Sequence, residues 1–264
     1  MNDEPLVLVE QDGRGVATVT LNRPARNNAY NAELVETLSK TFQRLAKLNT
    51  LRVVVIRGNG RHFQAGADLA WLREVGRMTP EENLQTSYRT AELVRTLDEF
   101  AVPTIAQVHG ACIGGGTGIA CACDIVIASE DAIFAISEAR WGAIASIIFP
   151  QLNAAIGVRN VRRYALSCEQ FDAHKAMQMG LVHEVVSADA LEQTTQSVVD
   201  NILNNGPQAI RDSKQWIKKA GDKLTEESFH ALVKVHADTR QSDEAAEGFA
   251  SFSEKRPASW SPRN

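Results

Sequence analysis

Along the first half of the chain, short apolar runs alternate with stretches in which apolar residues recur every three or four positions. LVLVE (6–10) and GVATVTL (15–21) have strand composition and flank Asp12-Gly13, a turn signal, so they predict a hairpin. From Ala32 to Leu48, the residues Leu34, Leu38, Phe42 and Leu45 fall at helical spacing. VVVI (53–56) and IVIA (125–128) are apolar at every position, the pattern of strands buried on both faces of a parallel sheet, and TIAQV (104–108) reads as a further strand. Thr79, Pro80 and Glu82 make a capping-box start for a helix that includes Leu84, Tyr88 and Leu97. Strands alternating with helices predict an α/β core with right-handed crossovers. Beyond about residue 150 helical periods dominate, with GPQA (206–209) opening one helix and VHEVV (182–186) a short strand candidate. The expected division is an α/β core over 1–200 and a helical lobe over 201–264.

The segment HGACIGGGTGIACACDIVIAS (109–129) departs from plain alternation, because Gly114, Gly115 and Gly116 stand together between two apolar runs. A strand that ends in glycines and opens a helix exposes unpaired backbone N–H groups, and the helix dipole adds partial positive charge there. Such a site suits an anion that appears during a reaction, for example an enolate oxygen. A tight turn or close helix–sheet packing explains the glycines as well. The spacing does not fit G-x-G-x-x-G, and no GK[ST] follows, so dinucleotide and Walker loops fail. A second loop, FQAGAD (63–68), also follows a buried strand. Two such loops at neighbouring strand ends can aim two N–H groups at one oxygen.

Composition narrows the field. A chain of 264 residues, 44% hydrophobic, can bury one large core. A net charge of −4 gives no electrostatic footprint for nucleic acid, and KQWIKK (214–219) reads as the solvated face of a helix. Cys112, Cys121, Cys123 and Cys168 lack the second pair and nearby histidines that a metal site needs, so no metal is expected. MNDEPLVLVE (1–10) has no basic stretch of a secretory leader, and no apolar run reaches the roughly 18 residues of a membrane span. A cytoplasmic setting with reduced thiols is the expectation.

Six segments together resemble the crotonase, or enoyl-CoA hydratase/isomerase, superfamily: LNRPARNNAYN (21–31), FQAGADL (63–69), VHGACIGGG (108–116), CDIVIAS (123–129), FAISEARWG (134–142) and EGFASFSEKR (247–256). The resemblance spans nearly the whole chain. It implies a ββα spiral core with a C-terminal trimerisation lobe, acyl-CoA thioesters as substrates, a trimer or dimer of trimers, and no cofactor beyond the coenzyme A of the substrate. It matches the two oxyanion-hole amides to Ala67 and Gly115. Of the two glutamates usual in the family's hydratases, one falls on Glu138 and the other on Gly118. One carboxylate is therefore missing. The apolar flank of Phe134, Ile136 and Trp141 is expected to raise the Glu138 pKa.

The same resemblance implies CoA contacts at Arg26, Asn28 and Ala29, at Ala65, Asp68 and Leu69, and, from a neighbouring subunit, at Phe252 and Lys255. A family glycine-rich run is replaced by IASIIFPQLN (144–153), a bulkier wall. That wall, with Ser146, Trp71, Trp141 and Gly118, is a candidate acyl pocket, or plain core packing. Arg140 is a candidate for a remote substrate carboxylate or for a surface or intersubunit ion pair, with Arg73 and His62 as further candidates. ADLAWL (67–72) and RRYALSCEQFDAHKA (162–176) resemble the glutaconyl-CoA hydratases of leucine and acyclic-terpene breakdown. Hydration of such a branched substrate is the first expectation. A Δ3,Δ2-enoyl-CoA isomerase, another acyl-CoA lyase or decarboxylase, a plain β-oxidation hydratase, and a non-catalytic acyl-CoA or RNA-binding relative are the alternatives.

Overall fold

The computed structural model describes residues 4–220 and 225–261. Strands β1 (Val7–Gln11) and β2 (Val16–Leu21) form the expected antiparallel hairpin. Its turn is built by the Asp12 carboxylate, which accepts the amides of Arg14 (2.9 Å) and Val16 (3.0 Å), and by Gly15 at φ +87°. Helix α1 (Ala32–Leu45) starts at Asn31, whose side chain accepts the Leu34 amide, and buries Leu34, Leu38, Phe42 and Leu45. Next come β3 (Val53–Gly58), α2 (Leu69–Val75) and α3 (Pro80–Asp98). The α3 capping box forms between Thr79 and Glu82.

Beyond α3 lie β4 (Thr104–Val108), β5 (Ala111–Ile113), α4 (Gly115–Ala122), β6 (Ile125–Ser129) and β7 (Ile133–Ala135). The remaining elements are α5 (Phe149–Ser167), β8 (Phe171–Asp172), α6 (Ala173–Met179), β9 (Glu184–Val186), α7 (Leu191–Leu203), α8 (Pro207–Ala220), α9 (Glu226–Thr239) and α10 (Asp243–Ser253). The main sheet runs β1-β2-β3-β4-β6-β9, parallel from β2 onward. A second sheet, β5-β7-β8, was not expected. Its strands of two or three residues are too short to show an alternation.

The all-apolar β3 run has a direct cause. Val54 and Ile56 face the large core beneath α1, α3 and α4, whereas Val53 and Val55 face a smaller one closed by Leu191, Val199 and Leu203 of α7. No described residue after Leu203 enters either core. Polar contacts join α8 to the core and α10 to α8. Arg52 donates to the carbonyls of Leu203 and Asn205, Arg211 to that of Leu51, and Glu244 accepts the amides of Gln208 and Ala209 that open α8. No described helix is long and apolar enough to cross a membrane.

Candidate active site

The site is assembled by neighbouring strand ends. Because β3 and β4 are adjacent and parallel, the loops that leave them start side by side. The 59–68 loop is then stitched to the segment around β5. Phe63 N–H donates to the His109 carbonyl (2.9 Å), Gln64 N–H to Ala111 (3.0 Å) and Ile113 N–H to Gln64 (2.9 Å). A third strand of contact comes from Tyr30, whose N–H donates to Gly66 and whose carbonyl accepts the Asp68 amide, both at 2.9 Å. In this parallel pairing with Tyr30, the N–H of Ala67 itself points away. Inside the loop, the Gln64 side-chain carbonyl accepts the Gly66 amide at 2.9 Å.

The other amide is that of Gly115, the first residue of α4, where no intrahelical acceptor exists. The turn that presents it depends on Gly114 at φ 55°, ψ −117°, a conformation open to glycine. Thr117 holds this turn by donating its hydroxyl to the carbonyls of Cys112 (2.7 Å) and Ala135 (3.0 Å).

Glu138 arrives by the same logic. Strand β7 pairs in parallel with β5, Ile113 opposite Ala135, so residues leaving β7 land beside the triglycine turn. Glu138 opens a 3-10 turn there, Glu138–Trp141. A methyl group built on Gly114 would stand 2.9 Å from Glu138 Oε1. The carboxyl is half-buried, and its Oε2 has no hydrogen-bond partner among the described residues. Burial pushes its pKa up, against the opposing pull of the nearby Glu138 and Ser137 amides. Two outward amides thus flank a lone protonatable acid, the arrangement that stabilises an enolate while a proton moves.

This chain matches the family described as enoyl-CoA hydratase/isomerase over residues 11–263. The chain belongs to the enoyl-CoA hydratase/isomerase family. It is 31% identical over 215 residues to a short-chain-enoyl-CoA hydratase of Clostridium acetobutylicum, covering 81% of each chain. It is 28% identical over 263 residues to a mitochondrial Delta(3,5)-Delta(2,4)-dienoyl-CoA isomerase of Dictyostelium discoideum, covering 95% of this chain and 89% of that one. A crystal structure of an enoyl-CoA hydratase from Shewanella pealeana superposes with a TM-score of 0.93 at 33% identity, covering 97% of this chain and 96% of the other. The fold is therefore the crotonase α/β fold, and this family member is an enzyme of the enoyl-CoA hydratase type whose substrate class is the acyl-CoA thioester.

In this family member a cleft of about 500 Å³ opens beside Ala67, Gly114 and Glu138. Ala65, Ala67, Leu69, Trp71, Arg140, Trp141 and Ser146 line it. Gly115 instead borders an adjoining apolar annex of about 70 Å³, with Val35, Leu38, Ile119, Ile147 and Ile148. Ile144 and Ile147 line both spaces, so the 144–153 segment is partly a wall of the cleft. Arg140 Nη2 donates to the Cys168 carbonyl at 2.9 Å.

Three of the expected site residues do not line the cleft. Gly118 does not reach the cleft, because Ile148 packs against it and leaves no room even for a methyl group. Asn28 is fully buried: its amide donates to the carbonyls of Asn59 (2.9 Å) and His62 (2.8 Å), and its oxygen accepts the Arg23 amide. Its side chain pins a loop and is closed to a ligand. The Asp68 carboxylate caps α2 and pairs with Arg23 at 2.8 Å. Burial works against it, but Arg23 and the Ala70 amide hold its carboxyl below the usual range, and it is committed to structure.

Arg26 is exposed on a 3-10 turn, Pro24–Arg26, and the Ala29 carbonyl accepts from Arg23, so neither lines the cleft. Phe252, 87% exposed, and Lys255, at φ 54°, also lie away from the cleft of their own chain. Sequence reasoning passed over Tyr30. It lines both cleft and annex, and a methyl group on Gly115 would stand 2.5 Å from its Cε1. Burial, and then the Glu138 carboxylate, push its pKa up to about 12. The available signal was its place in NNAYN, one residue before the Asn31 cap of α1.

Proposed function

We propose that this enzyme hydrates a branched, glutaconyl-type 2-enoyl-CoA, such as 3-methylglutaconyl-CoA or isohexenylglutaconyl-CoA. The observation that carries this reading is the charge inventory of the cleft. Among the described residues, Glu138 and Arg140 are the only acidic and basic side chains that line it. One acid suffices to move protons, and one cation meets a second carboxylate on the substrate.

The thioester oxygen accepts the Ala67 and Gly115 amides. Ionised Glu138 takes a proton from water as the water oxygen bonds to Cβ. The double-bond electrons pass into the thioester and form the enolate, which the two amides hold. Glu138 then returns the proton to Cα. Atoms and charge balance without a cofactor. Its anchor on the Cys168 carbonyl fixes the Arg140 guanidinium at the rim, where its planar fork can meet a carboxylate. The apolar annex suits the β-branch. Phe252 and Lys255 are assigned to the CoA of a neighbouring subunit in a trimer.

Isomerisation is the second reading, because Ile148 closes the place of a second carboxylate and a lone acid can carry a proton between carbons. Enoyl-CoAs with and without a β-methyl group and a terminal carboxylate, turned over in ¹⁸O-labelled water, decide between them. The proposal expects label at Cβ and the highest kcat/KM for the branched diacid. Double-bond migration without label, or a preference for unbranched substrates lacking the carboxylate, sinks it.

A further inference from the structure

We propose that Tyr30 is a second catalytic group, its phenol hydroxyl holding the water that adds to Cβ jointly with Glu138. This rests on the hydratase reading. In this chain the alternative partner is closed off, since Ile148 fills the space beside Gly118. A water activated by Glu138 alone would have one protein contact and a free choice of orientation. Tyr30 removes that freedom.

Its ring is fixed on three sides. The backbone pairs with the Ala67 segment, the ring edge lies against Gly115, with Cε1 and Cζ at 2.5 and 3.3 Å from a methyl position there, and Trp71 packs edge-on at 5.5 Å between centroids. The phenol therefore stands between the two amide-bearing turns and beside Glu138. No described residue hydrogen-bonds its hydroxyl. Burial keeps it protonated at working pH, so it acts as a neutral hydrogen-bond partner and neither gains nor loses a proton over the cycle. It accepts the water hydrogen that Glu138 does not take, which aims an oxygen lone pair at Cβ.

The test is Tyr30→Phe, which keeps the ring over Gly115 and should melt within a few degrees of the wild type. Two reactions are compared: hydration of the best enoyl-CoA, and exchange of the Cα proton of saturated butyryl-CoA in heavy water. Exchange needs Glu138 and both amides but no water at Cβ. The expected result is a fall of about 100-fold in hydration kcat, with KM and exchange each within about threefold. Hydration within about threefold of wild type overturns the assignment. So does an equal loss of both reactions, which would reduce Tyr30 to a support for Gly115. A wild-type enzyme that exchanges protons but hydrates nothing overturns the hydratase reading and this assignment together, an outcome separable from the other two.

Discussion

Two concavities mark opposite ends of the parallel strands, and the larger is the quieter. Beside the residues that enter β4 and β6, beneath α8, lies a cleft of about 820 Å³. Its charges are matched: Lys214 with Asp124 at 2.6 Å, Lys218 with Asp98 at 2.8 Å and with Glu99, and Lys219 over the Trp216 ring. The smaller cleft, at the ends of β3 and β5, together with its annex holds the Ala67 and Gly115 amides, a carboxyl oxygen and the Trp71 indole N–H without partners among the described residues, and the Tyr30 phenol. Volume does not separate the two, and the larger has an unpartnered atom of its own, Gln151 Oε1, but the partnering of carboxylates does: Asp98, Glu99 and Asp124 each meet a lysine, whereas Glu138 Oε2 meets nothing among the described residues. An unpaired buried carboxyl costs stability and is kept where it serves a reaction.

The sharpest way to break this contrast is Glu138→Gln. It should lower turnover by about 1,000-fold or more while the fold persists, because the proton carrier is lost and the packing is kept. Activity within about tenfold of wild type would end its role. Stability supplies a second readout. The folded-state pKa of Glu138 is raised, so as pH climbs past the ordinary carboxyl range the unfolded chain releases this proton first. The folded state still binds more protons there, and stability declines until the native carboxyl also ionises. Glu138→Gln abolishes that decline. It should melt higher than wild type at neutral pH, with the gap closing as pH falls toward the ordinary carboxyl value.

Gly115→Ala comes next. Its methyl group would stand 2.5 Å from Tyr30 Cε1, so the turn or the ring must move, and one oxyanion donor goes with it. A fall of about 100-fold in kcat is expected, with KM changed far less. A variant with wild-type kcat would show that this amide does not meet the reacting oxygen.

These two predictions rest on residues that local sequence made legible. The buried strands announce themselves as apolar runs, the α3 start carries its cap, and the apolar flank of Glu138 foretells its raised pKa. Legibility ends where meaning depends on a distant partner. Asn28 looks like a polar loop residue open to a ligand, and only the carbonyls of Asn59 and His62 reveal it as a pin. Gly118 looks like an opening, and only Ile148, from another helical turn, closes it. The second sheet is held by pairings between strands too short to advertise themselves, yet that sheet delivers Glu138 to the triglycine turn. Tyr30 was invisible for the same reason, because its neighbours come from two other loops.

Arg140→Gln tests whether the cleft recognises a second carboxylate. For a glutaconyl-type substrate, KM should rise about tenfold or more, the scale of one charge-assisted contact. For crotonyl-CoA, which lacks the carboxylate, both constants should hold within about twofold. Equal losses on both substrates would reassign Arg140 to holding the Cys168 carbonyl and the pocket rim.

The smallest catalytic effect belongs to the larger concavity, and it is the other half of the comparison. Lys214 Nζ bonds Asp124 Oδ2 and the Val102 carbonyl, and the same carboxylate oxygen accepts the Thr104 amide (2.7 Å) and hydroxyl (2.9 Å). Lys214→Met removes the cation but leaves Asp124 its two Thr104 donors, and the apolar stem still covers the core edge. The pair is partly exposed, so solvent screening limits the loss to about 1 kcal/mol. Thermal melting should show a small drop while kcat and KM stay at wild-type values. A fall in kcat of more than about threefold would mean that the matched cleft is coupled to the reaction, and the division between an idle and a working concavity would fail.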